Sequence, residues 1–256
     1  DIEKTDNNLI TLVQPNIEQK NKWNLEKRKA NLDKLIQLSL QNVNEYKGIN
    51  RIIIWPETSF EGSIPNEMKL LSVISKRILK HQKAILVVGL LRVDSNKLFN
   101  SLVFLNSKGN IIHQYDKIHL VPFGEYIPFR SKFTTIANFL SLKDFSSGNI
   151  EPNFTLKGFG NILTLICYEI LFTEEVISRL SKNTNLLINI TNDAWFGKTI
   201  GPYQHLALAK IKAVELGIPL ARVANTGISA LISPYGEVIT KIPLYESGVR
   251  TAKLTL

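Results

Sequence analysis

A layered α/β domain is the fold class this sequence predicts. Short apolar runs, among them 51–55, 84–91 and 161–166, alternate with amphipathic segments long enough to be helices. Two further runs are joined through Asn106-Ser107-Lys108-Gly109, a turn with hairpin chemistry, so part of the sheet structure is antiparallel. With 256 residues, 44% of them hydrophobic, the chain can bury a substantial core as a single domain over 1–256.

The elements follow in order. Asn8 to Gln14 reads as a first strand, and Asn21 to Tyr46 as a long helix with Leu25, Leu32, Leu35, Ile36 and Val43 near one face. The β-branched run 51–55 is a strand that stops at Pro56. Glu67 to Lys80 is a helix capped by Asn66, and it leads to a buried strand at 84–91. The hairpin pairs 98–105 with 110–115. Beyond a loop rich in Pro, Gly and aromatics come a short helix near 131–141, strand 161–166, helix 174–182, strand 185–190 and helix 203–216. Strands near 218–224, 228–233 and 237–241 complete the alternation.

Composition narrows the function. There are 31 basic and 22 acidic residues, a net charge of +9. The lysines are spread over helical segments such as Lys20 to Lys34 and Lys69 to Lys83, without the interleaved aromatics that stack bases, which argues against nucleic acid. Anionic lipid head groups or a plain solvated face both fit this charge. No apolar run approaches the length of about 18 residues needed to span a bilayer. The chain starts at Asp1 without a signal segment, which reads as a piece of something longer. One cysteine excludes an intramolecular disulfide and a multi-cysteine metal site, and no histidine spacing suits a metal. Neither metal nor cofactor is expected.

That lone cysteine, Cys167, ends the run Leu163-Thr164-Leu165-Ile166 and precedes Tyr168-Glu169, so it is either a small core residue or a reactive thiol. Glu57 lies just past the end of the 51–55 strand, where catalytic groups of α/β folds collect. Tyr115-Asp116-Lys117-Ile118-His119 opens a loop dense in charge and aromatics. Glu57 as base, Lys117 as fixed cation and Cys167 as nucleophile each supply what the others lack. The backbone N–H of Tyr168 adds a second oxyanion donor.

Trp55-Pro56-Glu57, Tyr115-Asp116-Lys117 with Val121-Pro122-Phe123-Gly124-Glu125-Tyr126, and Ile166-Cys167-Tyr168-Glu169 resemble the three catalytic blocks of the carbon-nitrogen hydrolase (nitrilase) superfamily. Asn192-Asp193-Ala194-Trp195-Phe196-Gly197, Gln204-His205-Leu206 and Arg222-Val223-Ala224-Asn225-Thr226-Gly227 resemble one branch of it, the bacterial apolipoprotein N-acyltransferases. The resemblance runs in order from Val13-Gln14-Pro15-Asn16-Ile17 to Pro234-Tyr235-Gly236. It implies a four-layer α-β-β-α sandwich and a Glu57, Lys117 and Cys167 triad. It also implies supporting roles for Glu125, Tyr168 and Glu169, and a substrate pocket bordered by Trp23, Phe123, Tyr126, Trp195 and Phe196.

The activity so implied moves a fatty acyl chain from a phospholipid, through a thioester, to the amino-terminal cysteine of a diacylglyceryl apolipoprotein. The resemblance further implies a monomer carried on membrane helices outside the chain, with this domain on the periplasmic face of the bacterial inner membrane. Val121 to Phe145, with Phe129, Phe133, Phe139 and Leu140, is either a hydrophobic lid or an aromatic segment packed on the core. A soluble amidase using the same triad is the nearer alternative. A basic lipid-binding module with a vestigial triad is the more distant one.

Overall fold

In the computed structural model, which describes residues 8–41, 43–80, 82–128, 144–149 and 151–254, alternation along the strands sorts the chain into layers. The elements in order are β1 (Leu9–Gln14), α1 (Leu25–Ser39), β2 (Arg51–Ile54), β3 (Ser63–Ile64), α2 (Met68–Ile78), β4 (Ala84–Asp94), β5 (Lys97–Leu105) and β6 (Ile111–Asp116). There follow β7 (Asn153–Leu156), β8 (Gly160–Ile166), α3 (Thr173–Arg179), β9 (Thr184–Thr191), α4 (Gly201–Leu216), β10 (Leu220–Ala224), β11 (Ser229–Ile232), β12 (Val238–Ile242) and β13 (Gly248–Lys253). One sheet runs β13-β1-β2-β4-β5-β6, with β3 on β4; the other runs β12-β11-β10-β9-β8-β7. Each has a parallel centre, β1-β2-β4 and β8-β9-β10, flanked by antiparallel strands.

Ile10 and Leu12 of β1, Ile52 and Ile54 of β2, and Leu102 and Phe104 of β5 face Ile162 and Ile166 of β8 and Leu186, Ile188 and Ile190 of β9 in one central core. The intervening residues point the other way. Val13, Ile53, Val103 and Leu105 pack under Leu35 and Ile36 of α1 and Leu71, Ile74 and Ile78 of α2. Leu163, Leu165 and Leu187 pack under Val176 of α3 and Ala209 and Ala213 of α4. Strands buried on both faces therefore read as continuous apolar runs, and the result is an α-β-β-α sandwich.

Several element boundaries differ from the expectation. The first helix starts after Trp23, whose φ of 70° interrupts the preceding turn, and Asn24 caps it by accepting from Glu26 N at 2.9 Å. It stops at Ser39 rather than Tyr46; Val43 and Asn44, poor helix formers, lie in a separate 3₁₀ turn, Val43–Tyr46. Asn66 does not cap α2, because it sits one residue too early and its amide donates to Ser63 Oγ at 3.1 Å. The missed strands β3, β7 and β13 are short or lie at a sheet edge, where an exposed face leaves no continuous apolar run. The expected helix at 131–141, with Phe129, Phe133, Phe139 and Leu140, lies outside the described residues. Among the described residues no helix is long and apolar enough to cross a membrane.

Candidate active site

Glu57, Lys117 and Cys167 come together at one end of the sandwich. Glu57 follows β2, Lys117 follows Asp116 at the end of β6, and Cys167 follows Ile166 at the end of β8. All three line one cavity of about 830 Å³, which also takes walls from Trp23, Tyr168, Trp195 and Phe196. The ends of parallel strands from both sheets converge there, the usual location of a ligand crevice in an α/β fold.

The loop after β2 is fastened before it delivers Glu57. The Trp55 amide donates to Val87 O at 2.9 Å, and the buried indole donates to Ser39 Oγ at 2.8 Å. Gly89 lets the loop lie against β4: a Cβ there would stand 2.4 Å from Pro56 O and 2.7 Å from Glu57 Cα. The Glu57 carbonyl accepts from Lys22 Nζ at 3.2 Å, and the same ammonium donates to Thr58 Oγ1 at 2.5 Å. The Glu57 carboxylate accepts from Asn100 Nδ2 at 2.7 Å.

Lys117 is anchored along its length. Its amide donates to Asn100 O at 2.8 Å, and its carbonyl accepts from Gly148 N at 2.9 Å. Gly148 has no room for a side chain, since a Cβ would meet Asp116 O at 2.2 Å. The buried ammonium pairs with Glu125 Oε2 at 2.7 Å, and Glu125 is itself held by Asn100 Nδ2 and Val121 N, both at 2.9 Å. Asp116, just before the lysine, is clamped by Arg92 and by Ser101 Oγ at 2.6 Å.

Cys167 has a φ of 56°, in the left-handed region that costs energy for any residue with a Cβ. The sharp turn brings the chain from β8 into the 3₁₀ segment Cys167–Leu171. Its carbonyl accepts from Asn189 Nδ2 at 3.1 Å, and its sulfur lies 3.4 Å from Thr191 Oγ1. Glu169 does not line the cavity. Its buried carboxylate accepts from Ile118 N and His119 N, just past the lysine, at 3.0 and 3.1 Å, and from Ile166 N, just before the cysteine, at 2.8 Å. Tyr115 Oη and Arg179 Nη1 complete its shell. One carboxylate thus joins the two sheets at the point where Lys117 and Cys167 must meet.

Burial pushes the Cys167 thiol up to about 12, with the Glu57 charge adding to the effect and Lys117 and Thr191 opposing it. Burial likewise raises the Glu57 carboxyl, against the opposing pull of Lys117. Burial alone would lower Lys117, but the negative fields of Cys167, Glu57 and Glu125 outweigh it and drive the ammonium upward. Lys22, also buried, is lowered to about 8. The resting site therefore holds an uncharged thiol beside two carboxylates and a permanent cation, and the sulfur becomes negative only as the thiol gives up its proton.

The expected pocket residues divide. Trp23, Trp195 and Phe196 line the cavity, and Trp195 stands 75% exposed at its rim. Phe123 and Tyr126 do not line it; the turn at Phe123, φ 62°, leaves that ring 71% exposed, and Tyr126 O accepts the Phe123 amide at 2.7 Å. The structure adds residues that motif reading passed over: Asn100, Lys22, Asn189 and Thr191. Two of them carried an adjacent signal, since Lys22 precedes Trp23 and Thr191 precedes the Asn192-Asp193-Ala194-Trp195 block. His205 lies outside the lining of this cavity. It stacks on Tyr168 and bonds Asp193, which Arg222 also holds at 2.8 Å.

The sequence profile described as carbon-nitrogen hydrolase matches residues 9–256. An apolipoprotein N-acyltransferase of Allorhizobium ampelinum is 37% identical over 256 residues, covering 96% of this chain and 48% of that protein. One of Vibrio cholerae is 34% identical over 258 residues, covering 96% and 49%. The chain spans about half the length of these relatives. Among solved structures, a cysteine-to-alanine mutant of the Nesterenkonia AN1 nitrilase-superfamily amidase superposes with a TM-score of 0.70 at 18% identity, covering 99% of this chain and 92% of that one. A branch 10 nitrilase-superfamily member from Saccharomyces cerevisiae gives 0.71 at 17% identity, covering 98% and 90%. The four-layer sandwich, the strand-end site and the profile match along the described fold agree: the chain belongs to the carbon-nitrogen hydrolase family.

Proposed function

We propose that this chain is the catalytic domain of an apolipoprotein N-acyltransferase, which moves an acyl group from a phospholipid to the α-amino group of a diacylglyceryl-cysteine at the start of an apolipoprotein. The observation that carries the reading is the meeting of an uncharged thiol, a carboxylate base and a fixed ammonium in a cavity rimmed by Trp23 and Trp195. The names of the relatives that share over a third of its residues support the choice of substrates.

In the first half-reaction Glu57 takes the Sγ proton as Cys167 attacks the ester carbonyl. Charge develops on the carbonyl oxygen, where Lys117 Nζ and the Tyr168 N–H stabilise it. Collapse expels the lysophospholipid alkoxide, which takes the proton back from Glu57, and leaves a thioester on Cys167. The acceptor amine then attacks that thioester. Glu57 removes the amine proton, the C–S bond breaks as the amide forms, and the departing sulfur takes that proton from Glu57, which regenerates the thiol and the carboxylate. Lys117→Arg is expected to lower kcat about 100- to 1000-fold, because a planar guanidinium cannot replace a point donor fixed by Glu125.

We place the whole protein in the bacterial inner membrane as a monomer, with this domain facing the periplasm and its basic surface near anionic head groups. The test is mass spectrometry of the protein after incubation with phospholipid micelles. A hydroxylamine-labile acyl group on Cys167, absent from Cys167→Ala and Glu57→Gln and discharged by a diacylated lipopeptide, is the expected result. Turnover of short amides without any acyl adduct would replace the reading with an amidase.

A further inference from the structure

Thr191 ends β9 and places one hydroxyl between two acceptors. Its Oγ1 lies 3.4 Å from Cys167 Sγ and 3.1 Å from Asp193 Oδ1, and all three residues are buried. A hydroxyl has a single hydrogen, so it can serve only one of them at a time. Asp193 does not depend on it: His205 Nδ1 stands 2.9 Å from Oδ1, and Arg222 Nη2 donates to Oδ2 at 2.8 Å. With Arg222 and His205 in place, Asp193 stays a carboxylate, held down at about 2 although burial by itself would raise it. The hydrogen can therefore leave Asp193 without stranding a buried charge.

We propose that Thr191 is a further catalytic residue, whose hydroxyl turns from the Asp193 carboxylate onto the Cys167 sulfur as the thiol loses its proton. The Cys167 proton goes to Glu57, Thr191 keeps its own, and only the direction of one hydrogen bond changes. The groups facing the sulfur are Glu57 from the loop after β2, Lys117 from the end of β6, Lys22 from the segment after β1, Tyr168 beside it and Asp193 beyond β9. Glu57 becomes neutral once it holds the proton, whereas the Asp193 carboxylate stays charged and disfavours a thiolate. Lys117 and Lys22 favour a thiolate through their fields, while the hydrogen bonds of their ammonium groups go to Glu125 and to Glu57 O and Thr58. Thr191 supplies a donor that bonds the sulfur directly, at the moment when a buried negative charge most needs one.

The proposal rests on Cys167 being the nucleophile of the proposed reaction, so the experiment reads the sulfur with no acyl donor present. The rate of Cys167 alkylation by iodoacetamide is followed against pH for the parent, Thr191→Val and Thr191→Ser, with thermal melts as a check on folding. Thr191→Val is expected to react about tenfold more slowly at neutral pH and to need a higher pH for the same rate, while Thr191→Ser stays close to the parent. Parent-like alkylation of Thr191→Val would overturn the proposal. Equal slowing of the serine variant would do so too, because the effect would then belong to the methyl group. If the valine variant does not fold, Thr191→Ala takes its place with the same expectations. A parent that is alkylated yet transfers no acyl group would count against the proposed reaction and leave Thr191 standing.

Discussion

Glu57 and Glu125 are held by the same side-chain amide: Asn100 Nδ2 donates to Oε1 of Glu57 at 2.7 Å and to Oε1 of Glu125 at 2.9 Å. The Glu125 charge next to the buried Glu57 favours the protonated form of Glu57. The shared amide gives each of them a hydrogen and leaves Glu125 to the ion pair with Lys117. In the proposed reaction this keeps Glu57 available as the base.

Removing that amide raises the Glu57 carboxyl further, because the hydrogen bond from Asn100 is one of the forces lowering it. The base works only when ionised, so activity falls as pH drops through its value. Asn100→Leu is expected to move the acidic limb of the kcat/KM profile to higher pH. An unmoved limb would show that the amide does not set the state of the base.

Gly89 has the opposite kind of role, since it works by being empty. Gly89→Ala must push the Pro56-Glu57 backbone away from β4 by tenths of an ångström or more. We expect a fall in kcat of about 100-fold with KM little changed, since misplacing a reacting group by about 1 Å has effects of that order. Equal kcat for both proteins would mean the loop absorbs the methyl group without moving Glu57.

Lys22 titrates in the working range. Burial lowers it to about 8 against the fields of Glu57, Glu61 and Cys167, so it is charged below that pH and neutral above it. Loss of the charge withdraws a field that favours both the Glu57 carboxylate and a Cys167 thiolate. Turnover of the parent is therefore expected to decline as pH rises through about 8. Lys22→Met should be slower throughout and show no such decline; a decline that persists in the variant assigns it elsewhere.

Stability has its own pH dependence at His113. Burial against Phe154, with rings stacked at 4.6 Å, lowers the imidazole to about 4, and its buried Nε2 has no hydrogen-bond partner among the described residues. The unfolded chain takes up this proton near the ordinary value of 6.5, before the folded one does. His113 therefore favours folding above that pH, and the contribution is lost as pH falls from 6.5 toward 4. His113→Phe should melt higher than the parent at pH 4.5 by more than it does at pH 7.5. An equal difference at both pH values would exclude a proton-linked effect.

Much of this was legible before the fold. The apolar runs at 51–55, 84–91 and 161–166 became central strands because residues buried on both faces need no polar alternation. Glu57 and Cys167 could be proposed because each sits where an apolar run stops, Lys117 because it opens a loop dense in charge and aromatics, and the resemblance of the three blocks implied them as one set. Edge strands β7 and β13 were not legible, since one exposed face gives them mixed composition. Phe123 and Tyr126 belonged to the right segment, yet a turn at Phe123 keeps them from the cavity wall.

Periodicity and chain punctuation by themselves determined a layered α/β domain and its central strands, because these depend on which face of an element each residue occupies, whereas the four-layer sandwich and the Glu57, Lys117 and Cys167 triad were implied by the resemblance of the motif blocks. The partners that make those side chains usable were decided only by tertiary structure. Asn100 lies within β5, outside any motif, and reaches Glu57 across 43 positions of sequence; Glu169 reaches Ile118 across 51 and so ties one sheet to the other. Such bonds depend on strand register and on how two sheets meet. Hydrogen bonds are directional and short, so a pattern that specifies a face cannot specify which distant group will stand within 3 Å of it.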